Sequence, residues 1–522
     1  MSIKFDSFTT DIAETYLLKS LQEEDFWIFG SFPGETSIPV SENTEKTQRK
    51  FLEKTIFGVS VTDFDFAALA NLNIWEEGRI YTEYDDAKNI GLTINTPFYV
   101  VTPPNSTGGS HHIFKCISNN YSSTSTEKPI FEDSINQLDG IYYLSDGYVW
   151  KYMITVPSFA FSKFGGSGYI PIIRNAQVET IANEGIYSIL VTNRSTNSGY
   201  ERLTGTITSL DSNNRIIIRI NGNIPFNKSP NIYANRTLIV NPGTSSQEID
   251  TQLFKILTSG ELNGQNFIQI ETTAAELNLE SLIEIVPTIE IIGDGSGAKA
   301  IAIFDDTNTL ITSVKMIDNG INYQNANARV IDPSVNFDTT NPNRSDIECI
   351  LRPIISPKGG HGSNPVKEFK SKNISISVNI TSKDSSNVTD TNSYSKIGLV
   401  KNPLFAEVIT ENTFDSRLKL QTTDGVLGLS VGETLSQSNG VSGIIHEIDN
   451  DVIYLTEYDG AFSAEFDESL LVSSSSGVNF SINTITKASY VSKTGSVLFI
   501  SDLTPVDRSD EKVEQIKLII DF

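Results

Sequence analysis

The spacing of hydrophobic positions is helical only near the N-terminus. Asp11 and Glu14 have the spacing of a capping box that opens a helix. The apolar residues that would share one face of this helix are Ile12, Tyr16, Leu17 and Leu21. A second helix is predicted over residues 44–56, with Phe51, Leu52 and Ile56 buried.

From Val59 onward the period shortens to the two-residue alternation of β-strands. Phe64 and Phe66 alternate with Asp63 and Asp65, and IYTEY (80–84) is predicted as a strand after a turn at Gly78. The clearest further strands are FYVVT (98–102), HHIFKCIS (111–118), GYVWKYMITV (147–156), RIIIRING (215–222), TIEIIGDGSG (288–297), NISISVNI (373–380), SVLFIS (496–501) and QIKLIIDF (515–522). We therefore predict a mainly β or α+β fold, with several β-sandwich or barrel-like domains and a few N-terminal helices, in an elongated multi-domain subunit.

Shifts in pattern and turn-rich stretches divide the chain into four predicted parts. These are an N-terminal α+β domain (1–170), an inserted β domain (171–355), a C-terminal segment (356–419 with 488–522), and a small β cassette inserted at 420–487. Because the chain finishes in an apolar strand, we expect the C-terminal segment to pack back on the N-terminal domain. Segments 176–200 and 298–323 both read as strand, polar turn and strand before Asn, Gly and Tyr, which predicts a duplicated β module.

The composition of the 522-residue chain argues against several functions. A formal net charge of −25 and the lack of any Lys/Arg-rich run disfavour nucleic-acid binding, which depends on neutralising phosphates. No apolar stretch approaches the length of a membrane span, and no signal-peptide segment opens the chain. The two cysteines, Cys116 and Cys349, cannot form a disulfide framework. We expect a protein that folds in a reducing cytoplasm and binds neither nucleic acid nor membrane.

One motif points to nucleophilic catalysis. GLSVG (428–432) matches the G-x-S-x-G nucleophile elbow around Ser430, with His446 and Asp449 downstream. The elbow works only where a strand turns sharply into a helix, whereas here the flanks alternate like antiparallel strands and the acid follows the histidine. We interpret the match as a β-turn and keep an esterase as the alternative.

Phosphate and metal sites are not predicted. GDGSGAKA (293–300) resembles half of a phosphate loop, but a strand follows it and the chain contains no Gly-Lys-Ser/Thr, so we predict a glycine turn between strands and no cofactor. His112 and Cys116 would share one face of a strand, but zinc needs two more ligands. The remaining candidate ligands, without paired spacing, are His111, His361, His446 and Cys349.

The 64 acidic residues make carboxylate pairs of the glycosidase type unavoidable and uninformative without geometry. The three tryptophans, Trp27, Trp75 and Trp150, all precede residue 151, where we assign them to core packing and not to a sugar cleft. A glycosidase therefore stays an alternative, as does a glycan- or receptor-binding module in the 420–487 cassette. We predict no catalytic, cofactor or metal residues.

Several segments, in this order, resemble the baseplate wedge protein known as gene product eight in T-even-like myophages. They are ETYLLKSLQEEDFWIFGSFPG (14–34), NIWEEGRIYTEYDD (73–86), HIFKCISNN (112–120), DGYVWKYMITV (146–156), PKGGHGSNPVKEF (357–369), KIGLVKNPLF (396–405) and VLFISDLTPVDRSDEKVEQIKLIIDF (497–522). These blocks cover 104 of the 522 residues, about 20% of the chain, and their consistent order carries the resemblance. Regions 176–355 and 420–486 are enlarged relative to the family pattern.

The resemblance implies a structural protein of the virion tail, assembled in the host cytoplasm. It implies a homodimer that connects other baseplate wedge subunits and takes part in the change of the baseplate from its resting to its contracted form. The family supplies no catalytic residues to transfer to this chain.

Overall fold

The computed structural model describes most of the chain. The described residues are 24–32, 44–88, 97–104, 108–131, 140–211, 215–241, 252–271, 277–335, 348–381, 394–423, 426, 428–459, 465–506 and 513–521. The predicted first helix lies outside these residues.

Strands dominate the described chain and helices are few, which confirms the mainly β fold class. The helices are α1 (Glu45–Glu53), α2 (Ser158–Phe164), α3 (Ala176–Ile181) and α4 (Pro365–Glu368). The strands up to the middle of the chain are β1 (Phe26–Ser31), β2 (Thr55–Val61), β3 (Phe66–Asn71), β4 (Tyr99–Thr102), β5 (His111–Ser118), β6 (Ile141–Tyr143), β7 (Val149–Val156), β8 (Tyr169–Ile172), β9 (Ile186–Val191), β10 (Leu203–Leu210), β11 (Arg215–Ile220), β12 (Thr237–Val240), β13 (Gln252–Leu262), β14 (Gln265–Ile270), β15 (Leu282–Val286) and β16 (Thr288–Gly293). The later strands are β17 (Lys299–Phe304), β18 (Ile311–Asp318), β19 (Ala326–Ile331), β20 (Leu351–Ile355), β21 (Asn373–Ile380), β22 (Tyr394–Lys401), β23 (Thr413–Asp415), β24 (Leu418–Thr422), β25 (Thr434–Gln437), β26 (Ser442–Asp449), β27 (Val452–Asp459), β28 (Val472–Ser474), β29 (Asn479–Phe480), β30 (Ile482–Thr486), β31 (Ser496–Val506) and β32 (Glu514–Asp521).

The helix predicted at 44–56 forms but ends earlier than expected. Thr44 is its N-cap, because the side-chain oxygen accepts a hydrogen bond from the backbone N–H of Thr47 at 3.2 Å. Phe51 and Leu52 are buried as predicted. Ile56 is also buried, but it belongs to β2, since the β-branched pair Thr55–Ile56 starts the strand directly after the helix.

Two strand predictions near the N-terminus are wrong. Phe64 lies in a turn and is 83% exposed, because the Asp65 carboxylate accepts hydrogen bonds from the N–H and hydroxyl of Thr62 and closes that turn before β3. The segment 80–84 is not a strand either. Its backbone makes scattered bonds, such as Tyr84 N–H to the carbonyl of Cys116 at 2.9 Å, instead of a ladder.

The duplicated β module is not supported by secondary structure. Residues Ala176–Ile181 form helix α3 where the duplication required a strand. Asn175 caps this helix by accepting hydrogen bonds from the backbone N–H groups of Gln177 and Val178. The corresponding part of the second segment is strand β17, so the two segments differ at their first element.

The chain forms two compact units. The first consists of Met1–Leu69, Lys163–Gly165 and Ser371–Phe522, and the second of Ala70–Ser162 and Gly166–Lys370. This division does not test the four predicted parts, which stay a prediction.

In the first unit, strands from both ends of the sequence share one core. A five-stranded sheet has the order β23-β2-β1-β22-β31, and β32 pairs with β21, which pairs with β3. The apolar core of these strands includes Phe26, Ile28, Ile376, Leu399 and Leu518. A seven-stranded sheet, in the order β29-β28-β25-β26-β27-β24-β30, encloses a separate core around Leu420, Leu435 and Ile453.

The second unit contains three groups of strands. The first is the sheet β4-β5-β7-β6, which contains the three strands predicted between residues 98 and 156. Strands β10-β11-β14-β13-β12-β15 close into a barrel around a core that includes Ile207, Ile218, Ile256 and Ile268. The sheet β18-β17-β16-β19 and the pair β20-β9 share a further apolar cluster that includes Ile189, Ile311 and Cys349.

Candidate functional site

The structure does not assemble the Ser430 motif into a nucleophile elbow. Ser430 is exposed in a turn that leads into strand β25, with no helix following it. His446 is buried within β26 with its ring against Phe32 at 4.6 Å, and Asp449 is exposed at the end of the same strand. Among the described residues, no hydrogen bond joins Ser430 to His446.

The glycine turn is confirmed. Residues 294–298 connect β16 to β17, which pair antiparallel, so no helix N-terminus is available for a phosphate.

His112 and Cys116 both lie on β5, but their side chains make different contacts. Cys116 is buried in an aromatic cluster, while His112 stacks on Phe131 and its Nδ1 lies 2.8 Å from the Thr155 hydroxyl. The described part of the chain contains no group of three or more His, Cys, Asp or Glu side chains that could hold a metal ion.

The strongest chemical feature is a buried polar cluster in the second unit, which we call the Lys115 cluster. It consists of Lys115, His361 and Glu368, enclosed by the rings of Tyr84 and Tyr187. The side chains of the three polar residues are only 1%, 1% and 4% exposed. Lys115 Nζ lies 2.8 Å from Glu368 Oε2 and 3.0 Å from His361 Nδ1.

Successive side chains of strand β5 point to opposite faces of the sheet, and this alternation places Lys115 in the cluster. Phe114 and Cys116 point into the aromatic cluster around Trp150, so Lys115 between them faces the other side of the sheet. Its neighbour on β7, Lys151, is equally buried and lies opposite it in register. Two buried lysines side by side require acceptors, and Glu368 supplies one for Lys115.

A glycine-rich loop brings His361 and Glu368 to the same place. Gly360 has φ +90°, and a side chain there would meet the backbone of Asn183 at 2.2 Å, so only glycine allows this approach. Asn364 then caps helix α4 by accepting from the backbone N–H of Lys367, with Pro365 in the first turn. The short helix directs Glu368 back towards the loop, where Glu368 Oε1 accepts from the Gly362 N–H at 2.6 Å.

Burial and the neighbouring charges fix the protonation states of the cluster. Burial alone would raise the pKa of Glu368, but the positive charge of Lys115, in direct contact with the carboxylate, outweighs it and holds this pKa at about 2. Burial, reinforced by Lys115, lowers the pKa of His361 to about 3. The pKa of Lys115 is lowered by burial against the opposing effect of Glu368. At neutral pH Glu368 is therefore ionised and His361 is a neutral imidazole.

The aromatic rings shield this ion pair from water. Lys115 Nζ lies 4.3 Å from the centroid of the Tyr84 ring, in cation–π contact. Tyr84 and Tyr187 meet the His361 ring edge-on, at centroid distances of 4.7 and 4.8 Å. The imidazole is thus held in one orientation between the two rings.

Sequence reasoning treated His361 as an ordinary histidine and missed Lys115 and Glu368. The one available signal was a lysine in the middle of the run IFKCI (113–117), whose other four residues are apolar. The partner could not be found from sequence, because Glu368 lies 253 positions further along the chain.

A cavity of about 360 Å³ also lies in the second unit, within the size range of small-molecule pockets. Its walls include Tyr121, Tyr143, Tyr148 and Lys315. The tyrosine hydroxyls are already engaged with protein atoms, for example Tyr143 with the carbonyl of Met316 at 3.3 Å. These hydrogen bonds hold the side chains of the cavity wall in place. They do not indicate which ligand the cavity would bind.

In the first unit, a second buried ionic network surrounds Arg417. Its guanidinium forms a two-pronged contact with Asp415, with both N–O distances 2.8 Å, and reaches Glu447 at 2.5 Å. The Tyr454 ring lies 4.4 Å from the guanidinium carbon. This network ties β23 to β26 and consists of structural contacts.

No protein-family model matches the chain, and no curated protein matches it. None of the helices in the described ranges has the length and apolar character needed to cross a membrane.

Proposed function

We propose that this protein is a structural subunit of the baseplate wedge in a contractile phage tail. It connects other wedge proteins, takes part in the baseplate rearrangement on infection, and acts as a homodimer. The virion tail is its proposed location, after assembly in the host cytoplasm. The proposal rests on the collinear segments that resemble the wedge family, and on what those segments do in the fold.

The observation that supports it best is the convergence of four of these segments. Tyr84 comes from 73–86, Lys115 from 112–120, and both His361 and Glu368 from 357–369. Trp150, from 146–156, lies in the aromatic cluster on the other face of β5. The segments that carry the resemblance therefore supply buried core contacts, as expected where resemblance reflects a shared fold.

A structural role also agrees with the state of the polar groups. The Lys115 cluster and the Arg417 network are buried and mutually satisfied, and Ser430 has no described base within hydrogen-bond reach. Such networks fix one packing arrangement. The work of the protein in this proposal is binding, through large and specific interfaces with neighbouring subunits.

The test is co-expression with the proteins encoded next to it, followed by native mass measurement of the complexes. We expect a dimer of 57.4 kDa chains, and stable complexes that contain this dimer together with neighbouring subunits. Recovery only as a free monomer, under conditions where the neighbours assemble with one another, contradicts the wedge role.

A surface variant and a control sharpen this experiment. Leu404 and Val408 are 61% and 90% exposed, and Leu404 belongs to one of the segments that resemble the family. Replacing both with aspartate should leave the fold intact, because neither side chain is buried, and should weaken assembly if this surface is an interface. The control is Ser430→Ala, which should assemble normally. Loss of an ester- or glycan-hydrolysing activity in that control would instead favour a hydrolase.

A further inference from the structure

The Lys115 cluster differs in kind from the other buried ion pairs of the described chain. Arg236 with Asp332, and Arg417 with Asp415, use arginine, whose guanidinium stays charged. The Lys115 cluster uses lysine, which becomes a nucleophilic amine when it loses a proton. It also places a neutral imidazole against both members of the pair, at 3.0 Å from Lys115 Nζ and 3.5 Å from Glu368 Oε2.

We propose that Lys115 and Glu368 condense into an intramolecular isopeptide bond, with His361 transferring the protons. The inference concerns this chain alone and does not depend on the proposed function. It makes the cluster a site of autocatalytic modification, and the modification is a permanent cross-link between strand β5 and the segment that carries helix α4.

The geometry provides each group that the reaction needs. The amine and the carboxylate are in direct contact at 2.8 Å, and such fixed proximity replaces the encounter of two separate reactants. The Gly362 N–H donates to Glu368 Oε1 at 2.6 Å, and so can stabilise negative charge on that oxygen as the tetrahedral intermediate forms. Glu368 Oε2, the oxygen nearest His361, is the one that leaves.

The atoms and charges balance without any co-reactant. The ammonium of Lys115 first gives one proton to His361, which passes it to Glu368 Oε2. The carboxylate thereby becomes a neutral carboxylic acid, and the freed nitrogen lone pair attacks its carbon. A second proton from the same nitrogen then follows the same path to Oε2. The C–Oε2 bond breaks and water leaves, so that an ammonium and a carboxylate become one neutral amide and one water molecule.

Burial supplies a driving force for this step. An ion pair removed from water loses most of its hydration, and an amide carries no net charge that needs solvation. The Tyr84 and Tyr187 rings restrict access of water to the bond, which opposes its hydrolysis. The cross-link would close a loop that spans 253 sequence positions.

The test is the intact mass of the full chain after denaturation, measured at once and after prolonged incubation. We expect the folded protein to become lighter by the mass of one water. Trypsin should then fail to cleave at Lys115 and should release the peptide 368–370 attached to the peptide that contains Lys115. A chain that folds and keeps its full mass throughout overturns the proposal.

Variants separate this bond from other losses of water. Lys115→Arg keeps the positive charge at this position, and this variant should not lose the mass of one water. Glu368→Gln should lose ammonia in place of water, because the leaving group changes. The matched control is Lys151→Arg, on the adjacent strand opposite Lys115, which should still form the bond. A loss of water that persists in Lys115→Arg comes from another site and overturns the assignment.

The role of His361 has its own test. His361→Gln should fold, as judged by circular dichroism, and should form the bond about 10²- to 10⁴-fold more slowly, the usual contribution of a general acid–base group. An unchanged rate in the folded variant removes His361 from the mechanism.

Discussion

Replacing Trp150 with alanine should disrupt the aromatic core of the second unit. Trp150 is fully buried, stacks on Tyr148 at a centroid distance of 5.5 Å, and meets Tyr81 edge-on at 5.4 Å. On the neighbouring strand it lies opposite Cys116. The sequence predicted a core role for this tryptophan, and its burial confirms that placement.

The magnitude follows from the contacts that are lost. A buried tryptophan removes up to about 250 Å² from water, worth about 6 kcal/mol at 25 cal/mol per Å². Its indole N–H has no hydrogen-bond partner among the described residues. Removing this unsatisfied donor therefore offsets about 1–3 kcal/mol of the lost burial energy. The net cost to the free energy of unfolding should be about 3–5 kcal/mol. Trp150→Phe also removes the donor but keeps a ring, so it should cost clearly less.

The assay uses the buried thiol of Cys116 as a local probe. Cys349 is the only other cysteine, so a Cys349→Ser background leaves one reactive group. Labelling of Cys116 requires opening of the structure, and a loss of 3–5 kcal/mol should accelerate it about 10²- to 10³-fold, since each 1.4 kcal/mol is a factor of ten. Labelling of Cys116 at the wild-type rate in folded Trp150→Ala would refute this account of the core.

Three further predictions concern the first unit. Arg417→Met leaves the buried carboxylates of Asp415 and Glu447 without their main partner, so urea unfolding followed by circular dichroism should show a loss of about 3–5 kcal/mol; a neutral result would contradict the burial of the network. Burial, together with the charge of Arg417, lowers the pKa of His446 to about 4, so the folded state disfavours protonation and stability should fall as pH drops from about 6.5 to 4. His446→Gln should flatten that part of the pH–stability curve, and an unchanged curve would refute the assignment. Ser430→Ala should change stability by less than about 0.5 kcal/mol, because the side chain is exposed in a turn; a larger loss in the same unfolding assay would show that Ser430 is packed.

The strands were largely predictable because alternation is a local property. The strands around 98–102, 111–118 and 149–156 form where the pattern placed them. Errors arose where a side chain accepted a hydrogen bond from the backbone of a residue two or three positions away, as at Asp65, which closes a turn, and at Asn175, which caps a helix. Such capping bonds override periodicity over short segments.

The sequence by itself determined that this protein is a mainly β chain, with Trp150 in a core. Only the tertiary structure decided that Lys115 meets Glu368 and His361. Periodicity reports which face of a strand is buried, but not what covers that face. The partner of Lys115 depends on how distant segments fold onto each other. Here a glycine loop approaches the backbone of Asn183 closely, and the capped helix that follows this loop places the carboxylate of Glu368 against strand β5.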